Sequence, residues 1–160
     1  MNENTVELLV GVPAAGKSTW INANSKPNTI VISSDDIITA WAAFQGQTYD
    51  EGFAEFIKPA SAKAKADYRE ALGDGAAHIV VDRTNLTAKS RKEWIDAARK
   101  HNYRVNAVVF PTPDDAELTE RLASRPGKTI PAHVMSSMKG NFTMPRAEEG
   151  IDEIKMVDNN

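Results

Sequence analysis

Gly11-Val-Pro-Ala-Ala-Gly16-Lys17-Ser18 combines residue types and spacing suited to gripping a polyphosphate. Glycines let the backbone curl tightly enough for its N–H groups to face phosphate oxygens. Lys17 supplies positive charge for the β- and γ-phosphates, and the Ser18 hydroxyl supplies a ligand for Mg²⁺. A helix starting here adds its positive end and unpaired N–H groups. Gly11, Ala14, Ala15, Gly16, Lys17, Ser18 and Thr19 are therefore the expected contacts for a nucleoside triphosphate such as ATP.

Three acids accompany this loop. Asp82 closes the apolar run Ile79-Val80-Val81, where a carboxylate would complete the Mg²⁺ site begun by Ser18. Asp35 and Asp36 follow a second β-branched run, Thr29–Ile32. Ligands of doubly wound folds bind outside the carboxyl ends of the strands, so both acids are expected at the cleft mouth. Either would accept the proton of an attacking hydroxyl. Capping of the next helix by Ser34 or Asp35 is an equally available role.

Cations lie further along. Arg121 and Arg125, four apart, share one side of a helix. Residues 121–146 add Lys128, Lys139 and Arg146 and contain no acid. This segment is expected to form a lid whose arginines clamp charge developing on a transferred phosphoryl group. A second basic stretch, Arg83 to Arg104, includes Lys89, Arg91, Lys92, Arg99 and Lys100, diluted by Glu93 and Asp96. It is read as mostly the outer face of a helix. Trp20 and Trp94 are expected in the core, and Trp41 is the better stacking platform. His78, His101 and His133 show no metal-ligand spacing.

The elements that must hold these residues alternate. Short apolar runs at Val6–Val10, Thr29–Ile32, His78–Val81 and Arg104–Phe110 predict strands, with a last one within Ile151–Val157. Helices are expected from Lys17, from Ser33, over Glu51–Leu72, over Thr87–His101, over Asp114–Ser124 and from Pro131. Phe53, Phe56, Ile57, Ala60, Ala64 and Leu72 make one apolar stripe on the longest of them. Strand–helix alternation predicts a parallel sheet covered on both faces.

Composition sets the frame. A chain of 160 residues, 41% hydrophobic and 26% charged, predicts one globular domain over residues 1–160. With no cysteine, disulfides, thiolate metal sites and cysteine nucleophiles are excluded. The acidic, polar start from Met1 does not resemble a signal peptide, and no apolar run approaches the ~20 residues of a membrane span. The expected location is the cytoplasm, the host's if the chain is viral. A net charge of −3 advertises no general nucleic-acid coating.

Four blocks occur in one order: Gly11–Trp20, Ser34-Asp-Asp36, Asp82-Arg-Thr-Asn-Leu86, and Arg125–Pro131 followed by Val134-Met-Ser-Ser-Met138. From Leu8 to about Pro145 this series resembles the kinase domain of bacteriophage-type 5′-polynucleotide kinases. The resemblance implies a three-layer α/β P-loop NTPase fold, with four to five parallel strands in the order 2-3-1-4-5 and a helical lid. It implies transfer of the ATP γ-phosphate to a 5′-hydroxyl end of DNA or RNA. Lys17, Asp35 and Arg125 match catalytic positions, Asp35 as general base and Arg125 as lid arginine; Arg121 matches the neighbouring lid position. Asp35, Asp36, Arg83, Thr84 and Asn85 are then expected on the acceptor side. The chain has no D-x-D-x-T sequence of a companion phosphatase, so the resemblance is to the kinase half.

Two other functions compete. Where the phage pattern has an acceptor-binding arginine, three residues after the aspartate, this chain has Ile38. That change and the mildly acidic charge favour a kinase for a small alcohol such as a sugar, nucleoside or antibiotic. A nucleotide-switch module is the third possibility. It would need a base-reading N-K-x-D and a D-x-x-G, and neither occurs.

Overall fold

A computed structural model describes residues 3–125 and 127–158. Pro126 of the Arg125–Pro131 block and the first two residues of the polar start lie outside the described residues. The chain runs β1 (Thr5–Val10), α1 (Lys17–Asn24), β2 (Ile30–Ile32), α2 (Ser34–Phe44), α3 (Tyr49–Gly73), β3 (His78–Val81), α4 (Ala88–Lys100), β4 (Arg104–Val109), α5 (Asp115–Ala123), α6 (Ala132–Asn141), a short 3₁₀ turn (Ala147–Glu149) and β5 (Glu153–Met156).

All strand pairs are parallel, and the order is β2-β3-β1-β4-β5, as expected. Period-two alternation divides the core between the two faces of the sheet. Val6, Leu8 and Val10 of β1 pack with Ala64, Tyr68, Leu72, Trp94 and Ile95 of α3 and α4. Leu9 packs with Trp20, Leu118 and Met135 on the face covered by α1, α5 and α6. A strand covered on both sides is mostly apolar, as Val6, Leu8, Leu9 and Val10 are; the buried Glu7 between them is paired with His78 at 2.9 Å. Among the described residues no helix is long and apolar enough to cross a membrane.

Capping chemistry sets the helix starts and corrects several expectations. Ser33 caps α2 by accepting from the Asp36 N–H at 3.2 Å. Neither Ser34 nor Asp35 is the cap, so the Asp35 side chain is left for other work. A capping box between Thr48 and Glu51 starts α3 at Tyr49, two residues before the expected start at Glu51. The stripe itself fades toward that end. Ala60, Ala64 and Leu72 are buried, but Phe53 is 40% exposed and leans on Tyr49, its ring centroid 5.6 Å away.

Arg91 departs furthest from its expected outer face. It is fully buried, donates from Nη1 to the Asn85 carbonyl at 2.8 Å, and grips Glu149 with Nε at 2.8 Å and Nη2 at 3.1 Å. The pairing fork ties α4 to the segment that leads into β5. Glu149, 58 positions away, supplies the countercharge that makes this burial tolerable, which is why helical spacing alone points the wrong way.

Candidate active site

β1 ends at Val10, and the phosphate loop turns away from the sheet above it. Gly11 donates to the Thr84 carbonyl at 3.0 Å, and a Cβ there would sit 2.9 Å from Phe110 Cβ, so the close approach requires glycine. Gly16 adopts φ 107°, in the left-handed region, and is the N-cap of α1 with no side-chain cap. The first-turn N–H groups of α1 therefore face the loop without a capping side chain. Lys17 folds back across the loop and donates to the Gly11 carbonyl at 3.0 Å. Burial lowers the Lys17 ammonium to a pKa of about 8. Asp82 and Asp35 oppose that shift, while Lys128 and Arg125 add to it.

Those four groups define the opposite walls. Asp82 lies just past β3, its N–H held by the Ile32 carbonyl at 2.8 Å. Burial raises its carboxyl above the usual range; Lys17 opposes the rise, and Asp36 and Asp35 reinforce it. Asp35 stands in the first turn of α2. Its Oδ1 accepts from the Tyr49 hydroxyl at 2.9 Å, and its Oδ2 pairs with Lys128 at 3.2 Å. Asp36 is exposed and borders a recess of about 260 Å³ lined by Ser33, Ile37, Trp41 and Asp67, while remaining near enough to Asp82 to raise its carboxyl. Trp41 is not free-standing, because it meets Phe56 edge-on at 5.6 Å.

The cations of residues 121–146 divide by location. Arg121 donates to the Ala14 carbonyl at 2.9 Å and pairs with Glu117. Arg125 has a buried Nη1 with no hydrogen-bond partner among the described residues. An orphaned guanidinium donor is costly unless an anion arrives to use it. Lys139 pairs with Asp115 whereas Lys128 pairs with Asp35, so the basic run does not converge on one point. The loop beyond Arg125 docks on the start of α3. Gly127 accepts from the Asp50 N–H at 2.9 Å, and Thr129 donates to the Asp50 carboxylate through both its N–H and its hydroxyl.

The block after Asp82 builds the frame beneath the site. Thr84 holds Gly11 through its carbonyl. Asn85, expected on the acceptor side, is buried in a left-handed conformation at φ 48°, and its amide donates to the Leu9 carbonyl at 2.8 Å. That amide ties the β3 end to β1 and is directed into the fold. Arg83 places its guanidinium 5.5 Å over the Trp94 ring. Trp94 is in the core as expected.

Sequence reasoning did not single out Tyr49 or Asp50. Their only local signal was the Thr48-x-x-Glu51 capping box, which fixes a helix start and does not identify contacts made across the cleft.

The oxygen donors present suit Mg²⁺, which takes one or two carboxylate or hydroxyl ligands beside substrate phosphates and water. Asp82, raised by burial and by two neighbouring acids, marks a place where added positive charge is favourable. Among the described residues no group of three or more His, Cys, Asp or Glu would hold a metal alone.

A family model described as an AAA domain matches residues 6–145. A bifunctional polynucleotide phosphatase/kinase of Schizosaccharomyces pombe is 28% identical over 155 residues, covering 95% of this chain and 33% of that protein. The chain thus spans about a third of the length of this curated relative. A chain in the Pnkp1/Rnl/Hen1 RNA repair complex superposes with a TM-score of 0.65 at 20% identity, covering 88% of this chain and 44% of its own. A protein from Chloroflexus aurantiacus superposes with a TM-score of 0.67 at 15% identity, covering 98% and 88%. At these identities the structural matches establish the fold, a P-loop kinase-like sheet.

Proposed function

The chain belongs to the AAA domain family, and from that premise we propose that it is an Mg²⁺- and ATP-dependent kinase acting on the 5′-hydroxyl end of DNA or RNA. One observation carries the proposal. Asp35 is close enough to Lys17 of the phosphate loop to influence its protonation, and the lid Lys128 closes on the same carboxylate. A polyphosphate-binding loop, a carboxylate and a cation-bearing loop brought together in this way suit phosphoryl transfer.

Backbone N–H groups at the start of α1 and the Lys17 ammonium would hold the β- and γ-phosphates. Asp35 would take the proton of the acceptor hydroxyl as its oxygen forms a bond to the γ-phosphorus. The bond from that phosphorus to the β–γ bridging oxygen breaks, and ADP leaves. Arg125, with an unused donor, and Arg121 at Ala14 would stabilise charge on the phosphoryl oxygens. Ser18 and Asp82 would hold Mg²⁺, which when bound neutralises phosphate charge. The name of the Schizosaccharomyces pombe relative supports a nucleic-acid acceptor.

A small-alcohol acceptor is the second reading, and one observation favours it. Ile38 is fully buried, so the position three residues after Asp35 offers no side chain to an acceptor's phosphate. An acceptor screen with γ-labelled ATP separates the two. Label on 5′-hydroxyl oligonucleotides, lost on omission of Mg²⁺, is the expected result. Label only on free sugars or nucleosides would replace the polynucleotide reading, and label on no acceptor would end both.

A further inference from the structure

Tyr49 is the first residue of α3, placed there by the Thr48–Glu51 capping box. Its neighbour Asp50 holds the lid loop through Gly127 and Thr129. The start of α3 therefore touches both the lid and the carboxylate on α2. Tyr49 contributes two contacts to that carboxylate's surroundings. Its hydroxyl donates to Asp35 Oδ1 at 2.9 Å, and its ring carries the Lys128 ammonium 4.5 Å from the centroid. Lys128 in turn reaches the other oxygen, Oδ2, at 3.2 Å.

We propose that Tyr49 is a positioning residue for Asp35: its hydroxyl fixes one carboxylate oxygen, and its ring steers Lys128 onto the other, so the carboxylate meets the acceptor hydroxyl in one orientation. This rests on the phosphoryl-transfer reading of the site. A carboxylate on an unrestrained χ2 torsion samples a broad range, because a terminal sp³–sp² torsion has no sharp wells. Two directional partners on opposite oxygens remove that freedom, and a fixed acceptor geometry is what proton removal during transfer requires. Burial, and then the adjacent Asp35 carboxylate, push the Tyr49 hydroxyl well above the usual phenol range. It therefore remains a donor at any working pH.

Tyr49→Phe removes the hydroxyl and keeps the ring under Lys128. Phe53→Leu is the packing control, since Phe53 touches Tyr49 and is 40% exposed. Steady-state transfer is measured for both variants and for wild type, with ATP and acceptor varied separately and thermal midpoints recorded. The expected result is a fall in kcat of about tenfold for Tyr49→Phe with the KM for ATP within about twofold, the loss of one hydrogen bond to a charged group. Phe53→Leu is expected to keep wild-type kcat. An unchanged kcat in Tyr49→Phe, a loss carried by the KM for ATP, or an equal loss in Phe53→Leu would each overturn the positioning role while leaving the kinase reading intact. Wild-type protein that transfers to no acceptor overturns the kinase reading itself, and this proposal with it.

Discussion

Lys128 reaches from the loop after α5 to the Asp35 carboxylate, Nζ to Oδ2 at 3.2 Å, and so joins two segments 93 positions apart. The pair is only partly shielded, with side chains 20% and 50% exposed. Such pairs contribute about 0–1 kcal/mol, so the contact matters more for placement than for stability. Lys128→Met is expected to leave the thermal midpoint almost unchanged and to slow phosphoryl transfer. Differential scanning fluorimetry beside a transfer assay checks both halves.

Asp35 and Asp36 are adjacent in sequence but face different surroundings. Asp35 lies between Tyr49 and Lys128, whereas Asp36 borders the recess beside Trp41. Asp35→Ala is expected to abolish transfer while sparing nucleotide affinity. Asp36→Asn is expected to retain transfer. Single-turnover assays with γ-labelled ATP, alongside nucleotide titration, read both outcomes. Transfer that survives Asp35→Ala and disappears in Asp36→Asn would reassign the base.

Much of this arrangement was legible before the structure. Strand runs such as His78–Val81 and the phosphate-loop motif are local signals, because period and glycine placement reflect short-range sterics. What escaped was set by long-range pairing. Arg91 looks like a surface cation on a helix until Glu149 is brought to it from 58 positions away. The bond from the Asn85 amide to the Leu9 carbonyl joins residues 76 positions apart, and nothing in the local pattern announces it. Tyr49 and Lys128 meet Asp35 only because α2, α3 and the lid converge, and no single-segment pattern encodes that convergence.

Arg125 is expected to act on rate and not on folding. Its Nη1 has no partner among the described residues, so truncation removes a donor that waits for an anion. Arg125→Ala is expected to lower kcat by about 10²–10³, the scale of losing a donor aimed at transition-state charge. Its thermal midpoint should match wild type without nucleotide. Equal kcat in the variant would remove Arg125 from the clamp.

The buried Arg91–Glu149 fork gives a prediction of opposite character. Removing Glu149 leaves the fully buried Arg91 guanidinium without its carboxylate, which costs about 3–5 kcal/mol. Glu149→Ala should therefore unfold at markedly lower denaturant concentration. Any activity loss should follow the unfolded fraction. Urea titration followed by circular dichroism measures the shift. A midpoint equal to wild type would mean that the fork contributes little to holding the β5 segment against α4.

Nucleotide affinity should depend on pH through Lys17. Burial brings its ammonium down from 10.5 to about 8, against the pull of Asp82 and Asp35. Bound phosphate favours the charged form, so binding raises this pKa and takes up a proton wherever the free protein has lost one. Affinity is then level below pH 8 and falls as pH rises through it, by at most about tenfold per pH unit. For stability the sign is opposite. Between about 8 and 10.5 the unfolded chain holds more protons than the folded one, so nucleotide-free stability gains from this group as pH rises. Calorimetric titration of ATP with Mg²⁺ from pH 7 to 9.5 tests the binding limb. Lys17→Arg, which stays charged throughout, is the control in which this slope should vanish. The same slope in wild type and Lys17→Arg would assign the proton to another group.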